Sequence, residues 1–265
     1  MHKSMENRLI NGVIVGDPIG RYEAGRKFRP IETIEFTDQL ISDRWTIRIP
    51  KFLADYHGWW DAWEKERHLS MAANLKPQMT FYEVGASDGW QAALYAKIAP
   101  TEKIVLIEPA ADVWPNIKLI LEQNGLAIPK ATYVGFAADY DAGVAEINLD
   151  SWPNLDYSNF LKGQSFALLH SKEGSSLPRR KLDTIVERAG KPDAINIDVE
   201  GSELAVLQGA EETLRKWHPL IWLSIHQGVG PAPAVVYQFM RSCGYNGDFL
   251  AVDHEEHHFF TANSN

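Results

Sequence analysis

A single cysteine, Cys243, stands in 265 residues, so no internal disulfide framework holds this chain together, and a reducing compartment such as the cytoplasm is expected. No apolar run approaches the roughly 20 residues that a membrane span needs. The opening stretch MHKSMENRLINGVIVGDPIG lacks a long apolar core followed by a small-residue cleavage site, so it does not read as a signal peptide. Positive charge is scarce too: 26 Lys and Arg against 35 Asp and Glu leave a net charge of −9, with the basic residues spread out. That balance weighs against nucleic acid or an anionic membrane as the main partner. Internal repeats and low-complexity segments are absent. What remains is the composition of an enzyme-sized globule, 45% hydrophobic and 11% aromatic, with enough apolar side chain to bury a full core. Cys243 reads as a small structural residue near a helix end.

Residues 1–45 mix Gly, Pro and charge with weak periodicity and read as an appendage to a domain over 46–265. RWTIRIP alternates as a short strand that Pro50 stops. Trp59, Trp60, Trp63, Arg67, Met71 and Leu75 recur near helical spacing, which predicts a helix packing its Trp face on the core. From about residue 79, strand-like TFYEV, KIVLIE, ATYVGFAA, DAINID and PLIWLSIH alternate with helical segments, the longest being SELAVLQGAEETLRKW. GVAEINL reads as a hairpin arm. GDFLAVD and HHFFTA close the chain as strands, near enough in sequence for the last to run antiparallel. The alternation predicts an α/β fold, a mainly parallel seven-stranded sheet with helices on both faces. Ligands of such sheets sit at the carboxyl ends of the strands, here Glu83, Glu108, residues 137–139, Asp198 and His226.

The turn after the first of these strands, FYEVGASDGWQ, has glycines only at Gly85 and Gly89 and flanks them with Glu83 and Asp88. A dinucleotide fingerprint wants G-x-G-x-x-G with helix amides facing a pyrophosphate, which two carboxylates would repel. They suit a ligand whose reactive end is cationic, and S-adenosylmethionine carries an ammonium and a sulfonium there. On this reading Glu83 pairs with the ammonium, Gly85 and Ala86 let the backbone approach the methionine portion, and Asp88 lies beside them. Glu108 follows the second glycine by the roughly 20 residues expected of an acid that accepts from both ribose hydroxyls. Ala138 and Asp139, after the third strand, are placed on the adenine side. The competing reading makes Glu83 and Asp88 surface acids that cap a helix start.

LDTIVERAGKPDAINIDVEGSELAVLQGAEETL, at residues 182–214, taken with FYEVGASDG, LIEP and PLIWLSIHQ, closely resembles the FkbM family of S-adenosylmethionine-dependent methyltransferases. The similarity runs from about Trp59 to His226 and includes the acidic WEKE ahead of the first core strand. The resemblance implies a Rossmann-like class I methyltransferase fold and O-methylation of a hydroxyl on a sugar, glycan or natural product. It carries cofactor roles onto Glu83, Gly85, Gly89 and Glu108, and site roles onto Asp198, Glu200 and His226. In one place the chain departs from the family: a Glu is common two residues before the His, where this sequence has Ser224. A protein that keeps the fold but has lost catalysis, and a dinucleotide-dependent oxidoreductase, are the alternatives.

Within NIDVEGSELAVL, Ser202 can cap the following helix, Glu203 reads as a favourable anion at its start, and Leu204, Leu207, Ala210, Leu214 and Trp217 line one face. Gly209 inside that helix costs about 1 kcal/mol relative to Ala, so close packing is expected there. His226 is the candidate base for the acceptor hydroxyl, its ordinary pKa near 6.5 suiting the task. A divalent cation held by Asp198, Glu200 and His226 is the less favoured arrangement, since no further ligand is evident. DHEEHHFF, with His254, His257 and His258, reads as a hairpin rather than a metal site, and LPRRK as a solvated helix start. The irregular stretch 150–180, with Trp152, Tyr157, Phe160 and Phe166, is expected to roof the acceptor pocket together with the N-terminal segment.

Overall fold

The computed structural model describes residues 8–10, 13–15, 27–41, 44–57, 64–99, 103–129, 131–144, 147–149, 152–153, 155, 159–162, 176–226, 228–253 and 255–263. Trp59, Trp60, Trp63, Tyr157, Phe166, His254 and most of the expected roof lie outside them. In chain order the N-terminal elements are β1 (Arg8–Ile10), β2 (Val13–Val15), β3 (Lys27–Pro30), β4 (Phe36–Ile41), β5 (Trp45–Pro50), α1 (Lys51–His57) and α2 (Lys65–Asn74). Then follow β6 (Phe81–Val84), α3 (Trp90–Ile98), β7 (Ile104–Ile107), α4 (Trp114–Gln123), β8 (Ala131–Tyr133), β9 (Phe136–Ala138), β10 (Ile147–Asn148), β11 (Asn159–Lys162) and β12 (Arg179–Lys181). The remainder is α5 (Leu182–Ala189), β13 (Ala194–Ile197), α6 (Glu203–Gln208), α7 (Glu211–Trp217), β14 (Leu220–Ile225), α8 (Pro233–Ser242), β15 (Tyr245–Val252) and β16 (Glu256–Ala262).

The main sheet has the order β10-β8-β7-β6-β13-β14-β16-β15. Its β8-β7-β6-β13-β14 part is parallel, and β16 enters antiparallel beside β14, as the closing strands predict. The hairpin arm β10 pairs antiparallel with β8, an eighth strand beside the seven expected. FYEV, IVLI and AINI are buried at every position, the mark of parallel strands covered on both faces. Their side chains alternate between two cores. Phe81, Ile104, Leu106, Ala194 and Trp222 pack with α3, α4 and the β4–β5 hairpin, whereas Tyr82, Val84, Val105, Ile107, Ile195 and Leu223 pack under α5 to α8. The same alternation sets Glu83, Asn196 and Ser224 on the first face, together with the buried Thr132 and His257.

Three local readings change. ATYVGFAA is two strands, not one: β8 stays in the main sheet while β9 leaves it to pair in parallel with β12. Residues 137–139 therefore do not end a strand of the main sheet. LPRRK supplies β12 rather than a helix start, and Arg180 Nη1 donates to the carbonyls of Ala142 and Arg179. The long helix expected after Ser202 breaks into α6 and α7 at Gly209–Ala210. Trp217 is exposed to solvent, whereas Leu207, Ala210 and Leu214 are buried.

A Cβ on Gly209 would stand 1.8 Å from the Ala138 carbonyl oxygen, so the end of β9 passes directly over this position. Gly209→Ala is thus expected to destabilise the protein by about 1–3 kcal/mol, despite the better intrinsic helix propensity of alanine. Chemical denaturation decides the matter; a gain in stability would mean that the contact yields freely. Cys243 is the buried C-terminal cap of α8, as a structural residue should be.

Candidate active site

Register brings the site residues to one level. Val84 pairs with both Ile107 and Ile197, so Gly85, Glu108 and Asp198 leave their strands side by side at the carboxyl edge. This is also where the strand order reverses, between β6 and β13, the crevice in which open sheets bind ligands. The crevice is closely built: a Cβ on Gly85, at φ +91°, would fall 1.8 Å from the Asp198 carbonyl oxygen. Gly89, at φ +83°, packs in the same way against Ile117 of α4. Both glycines thus have packing reasons, and Ala86 between them is buried. Ser87 and Glu200, in the turns on either side of the crevice, adopt left-handed backbone conformations at φ 45° and 53°. Strain of that kind collects at functional turns.

Glu83 and Asp88 are fully buried, which removes the reading of surface capping acids. The start of α3 accordingly has no side-chain cap. Asn196 Nδ2 donates to Glu83 Oε1 at 2.9 Å, and Oε2 is buried without a hydrogen-bond partner. Burial pushes the Glu83 carboxyl up to about 8, against the opposing pull of Asn196 and Arg67. Asp88 points elsewhere, accepting from Asn116 Nδ2 of α4 at 2.9 Å, and burial raises it to about 7. Its place is in the packing of α4 on the glycine turn. Glu108 ties the two turns together, accepting from Ser87 N at 2.9 Å through Oε2 and from Ala110 N at 2.8 Å through Oε1. Burial raises it to about 7, the two amides pulling the other way. Ala138, at the end of the strand that leaves the main sheet, is buried beneath Gly209, and Asp139 just after it is exposed.

Next to this pocket lies a second polar centre, which the sequence only half revealed. Arg67 reaches from α2 onto the first face of the sheet and is fully buried. Its Nη1 donates to Asp198 Oδ2 at 3.1 Å and to Ser224 Oγ at 2.7 Å, and its Nη2 pairs with Glu64. Burial alone would lower its pKa, but Tyr95, Asp198, Glu255 and Glu83 around it raise it on balance. Glu64, from WEKE, also accepts from Gln91 Nε2 at 2.7 Å. The Ser224 hydroxyl is also within hydrogen-bond distance of His257 Nδ1, at 3.2 Å, and His257 Nε2 faces Asp253 at 3.2 Å. A serine at 224 thus receives the arginine. Arg67 had been visible only as one position on a helix otherwise noted for tryptophan.

His226 stands just beyond β14. One step past the last β14–β16 pair, Ile225 with Glu256, the antiparallel register sets it opposite Glu255. Its Nε2 is 2.5 Å from Glu255 Oε2, 3.3 Å from Glu200 Oε2 and 3.7 Å from Asp198 Oδ1, and its Nδ1 is 2.7 Å from Glu203 Oε1. The structure brings Asp198, Glu200 and His226 together as expected and adds Glu203 and Glu255. Glu203 is not a solvated anion at a helix start: it is fully buried, bonded to His226, and accepts from Gly201 N at 2.9 Å. Ser202 in turn makes no side-chain cap. His226 does not keep an ordinary pKa: burial would lower it, but Glu255, Glu203 and Glu200 raise it well above the usual value. In DHEEHHFF the residue that reaches the site is Glu255, while His257 and His258 point to opposite sides of β16, toward Ser224 and Tyr237.

The family model of the Methyltransferase FkbM domain matches residues 83–246, a span that holds most of this site. Among solved structures the chain is similar to the methyltransferase FkbM from Methylobacillus flagellatus KT, at a TM-score of 0.51 and 16% identity over 71% of this chain. The likeness covers 44% of that protein's length and establishes the fold. Precorrin-6y C5,15-methyltransferase from Geobacter metallireducens GS-15 is similar at a TM-score of 0.47 and 10% identity, over 76% of this chain and 89% of that one. No curated protein matches the chain.

Proposed function

The chain belongs to the FkbM methyltransferase family, and from that premise we propose that it is an S-adenosylmethionine-dependent O-methyltransferase acting on a hydroxyl of a sugar, glycan or natural product. The observation that carries the cofactor assignment is the pair of buried acids at the ends of β6 and β7. Glu83 keeps one oxygen buried without a hydrogen-bond partner, at the place where a cationic amino group would meet it. Glu108 is held by two amides, its carboxylate at the mouth of the second strand where a ribose diol would donate to it. When bound, S-adenosylmethionine supplies an electrophilic methyl group on a sulfonium.

The chain's own residues define the rest. An acceptor oxygen must stand in line with the methyl group and give up its proton as the new bond forms. The hydroxyl proton would pass to a carboxylate at the His226 centre, and the cofactor, having supplied its methyl group, would leave as S-adenosylhomocysteine. Access is from the side of Asp198 and Glu200, 14% and 37% exposed, because Glu203 and Glu255 are sealed beneath. The two segments expected to roof the acceptor pocket pair with each other, β3 against β11 from Asn159 to Lys162. Of that ribbon, β11 lies against α4 and the turn at residues 111–113.

Glu108→Ala is expected to weaken S-adenosylhomocysteine binding by about 1.5–3 kcal/mol, the worth of hydrogen bonds to a charged group. Isothermal titration of a variant with an unchanged melting profile measures it. Full affinity in that variant would remove Glu108 from the pocket.

A further inference from the structure

Around His226, the carboxylates of Asp198, Glu200, Glu203 and Glu255 converge from the turn after β13, the start of α6 and the turn before β16. The neighbouring cation, Arg67, divides its donors among Glu64, Asp198 Oδ2 and Ser224. Four carboxylates facing one imidazole make a strongly anionic centre, which a dication would balance in part. We propose that Asp198, Glu255 and His226 bind a divalent cation of the Mn2+ and Mg2+ class, with Glu200 on the open side and Glu203 as a positioning residue for the imidazole.

The geometry supports this atom by atom. One donor atom from each of Asp198, His226 and Glu255 lies within 4.8 Å of the others. Two ligands each about 2.1 Å from one ion stand about 3.0–4.2 Å apart, for angles between a right angle and a straight line. The distances from His226 Nε2 to Asp198 Oδ1, 3.7 Å, and to Glu200 Oε2, 3.3 Å, already fall in that range. The 2.5 Å approach of Glu255 Oε2 to Nε2 is closer than two ligands of one ion stand. A cation between them needs the pair to open by about half an ångström.

The surroundings are arranged as metal-ligating imidazoles require. Glu203 Oε1 accepts from Nδ1–H at 2.7 Å, which fixes the ring and turns the Nε2 lone pair toward the carboxylates. Gly201 N in turn fixes Glu203. Arg67 binds Asp198 through Oδ2 and leaves Oδ1 facing Nε2. One imidazole nitrogen with carboxylate oxygens and no thiolate is a hard, oxygen-rich set that suits an octahedral ion with water in its remaining positions. Those positions open on the side of Asp198 and Glu200, where the acceptor enters. A hydroxyl held there would be acidified, a role that rests on the methyl-transfer reading, whereas the binding of the ion does not.

The test is Mn2+ titrated into the 265-residue chain without cofactor or acceptor, followed by loss of the free-ion paramagnetic resonance signal. One ion per chain is expected, with Glu255→Gln and Glu203→Gln each weakening binding by about 10–100-fold. Glu200→Gln, at a partly exposed position, keeps the test decisive if a buried variant fails to fold, and should weaken binding by about tenfold. No depletion of free Mn2+ at millimolar concentrations, or equal affinity in the folded variants, would overturn the site. S-adenosylhomocysteine titrated into the same samples reports the other pocket. Its failure alone would sink the methyltransferase reading, and failure of Mn2+ alone would sink the cation site.

Discussion

Replacing Arg67 by methionine is expected to destabilise the fold by about 3–5 kcal/mol, the largest stability effect of any single change considered for this protein. The side chain has no exposed surface and is bonded to Glu64, Asp198 and Ser224. Methionine fills much of the same volume, so the loss comes from the carboxylates and not from a cavity. Buried Glu64 and half-buried Asp198 lose the guanidinium that pairs with them, and Ser224 loses the donor that Arg67 supplied. The sign of the pH dependence follows. A carboxylate deprived of a nearby cation has its folded-state pKa raised, so the folded variant takes up protons that the unfolded chain releases above about pH 4.5. The deficit relative to wild type should therefore shrink as pH falls from 8 toward 5. Urea denaturation at several pH values tests both parts. A loss under about 1 kcal/mol, or a deficit independent of pH, would mean that the ion pairs contribute little here.

The second large effect concerns chemistry. His226→Ala is expected to retain affinity for S-adenosylhomocysteine and lose methyl transfer by about 10²-fold or more. Binding survives because the pocket of Glu83 and Glu108 lies at the ends of β6 and β7, while His226 follows β14. Catalysis suffers because the imidazole is what four carboxylates converge upon, and its removal lets Asp198, Glu200 and Glu255 repel one another out of position. The measurement is single-turnover methyl transfer to the acceptor that the wild-type protein modifies, with cofactor affinity measured alongside. Wild-type turnover in the variant would take His226 out of the mechanism. Loss of cofactor binding instead would show that the two centres are one.

The sheet was legible because its strands are short, unbroken apolar runs, FYEV, IVLI and AINI, separated by helices of ordinary length. Glu83, Glu108, Asp198 and His226 could be found for a related reason: each stands at or beside the carboxyl end of such a run. The break at Gly209 was not legible, because its cause is the Ala138 carbonyl, distant in sequence. Nor was the departure of β9, which depends on a partner strand at Arg179–Lys181 inside a stretch without regular pattern. Arg67 was hidden because it shares its helical spacing with the tryptophans before it, and spacing alone does not tell a buried ion pair from an apolar face. Glu255 was hidden by the histidines around it, and only the antiparallel register of β14 and β16 places it across from His226. Where the site was missed, then, the missing information was tertiary pairing of polar groups, which local periodicity does not carry.

Isothermal titration of S-adenosylhomocysteine into the wild-type protein, with NAD titrated in parallel, tests the central claim most directly. The account predicts saturable binding of one S-adenosylhomocysteine per chain and no heat from NAD, because Glu83 and Glu108 favour an ammonium and a ribose diol and repel a pyrophosphate. Binding of NAD, or no binding of S-adenosylhomocysteine at millimolar concentration, would contradict it.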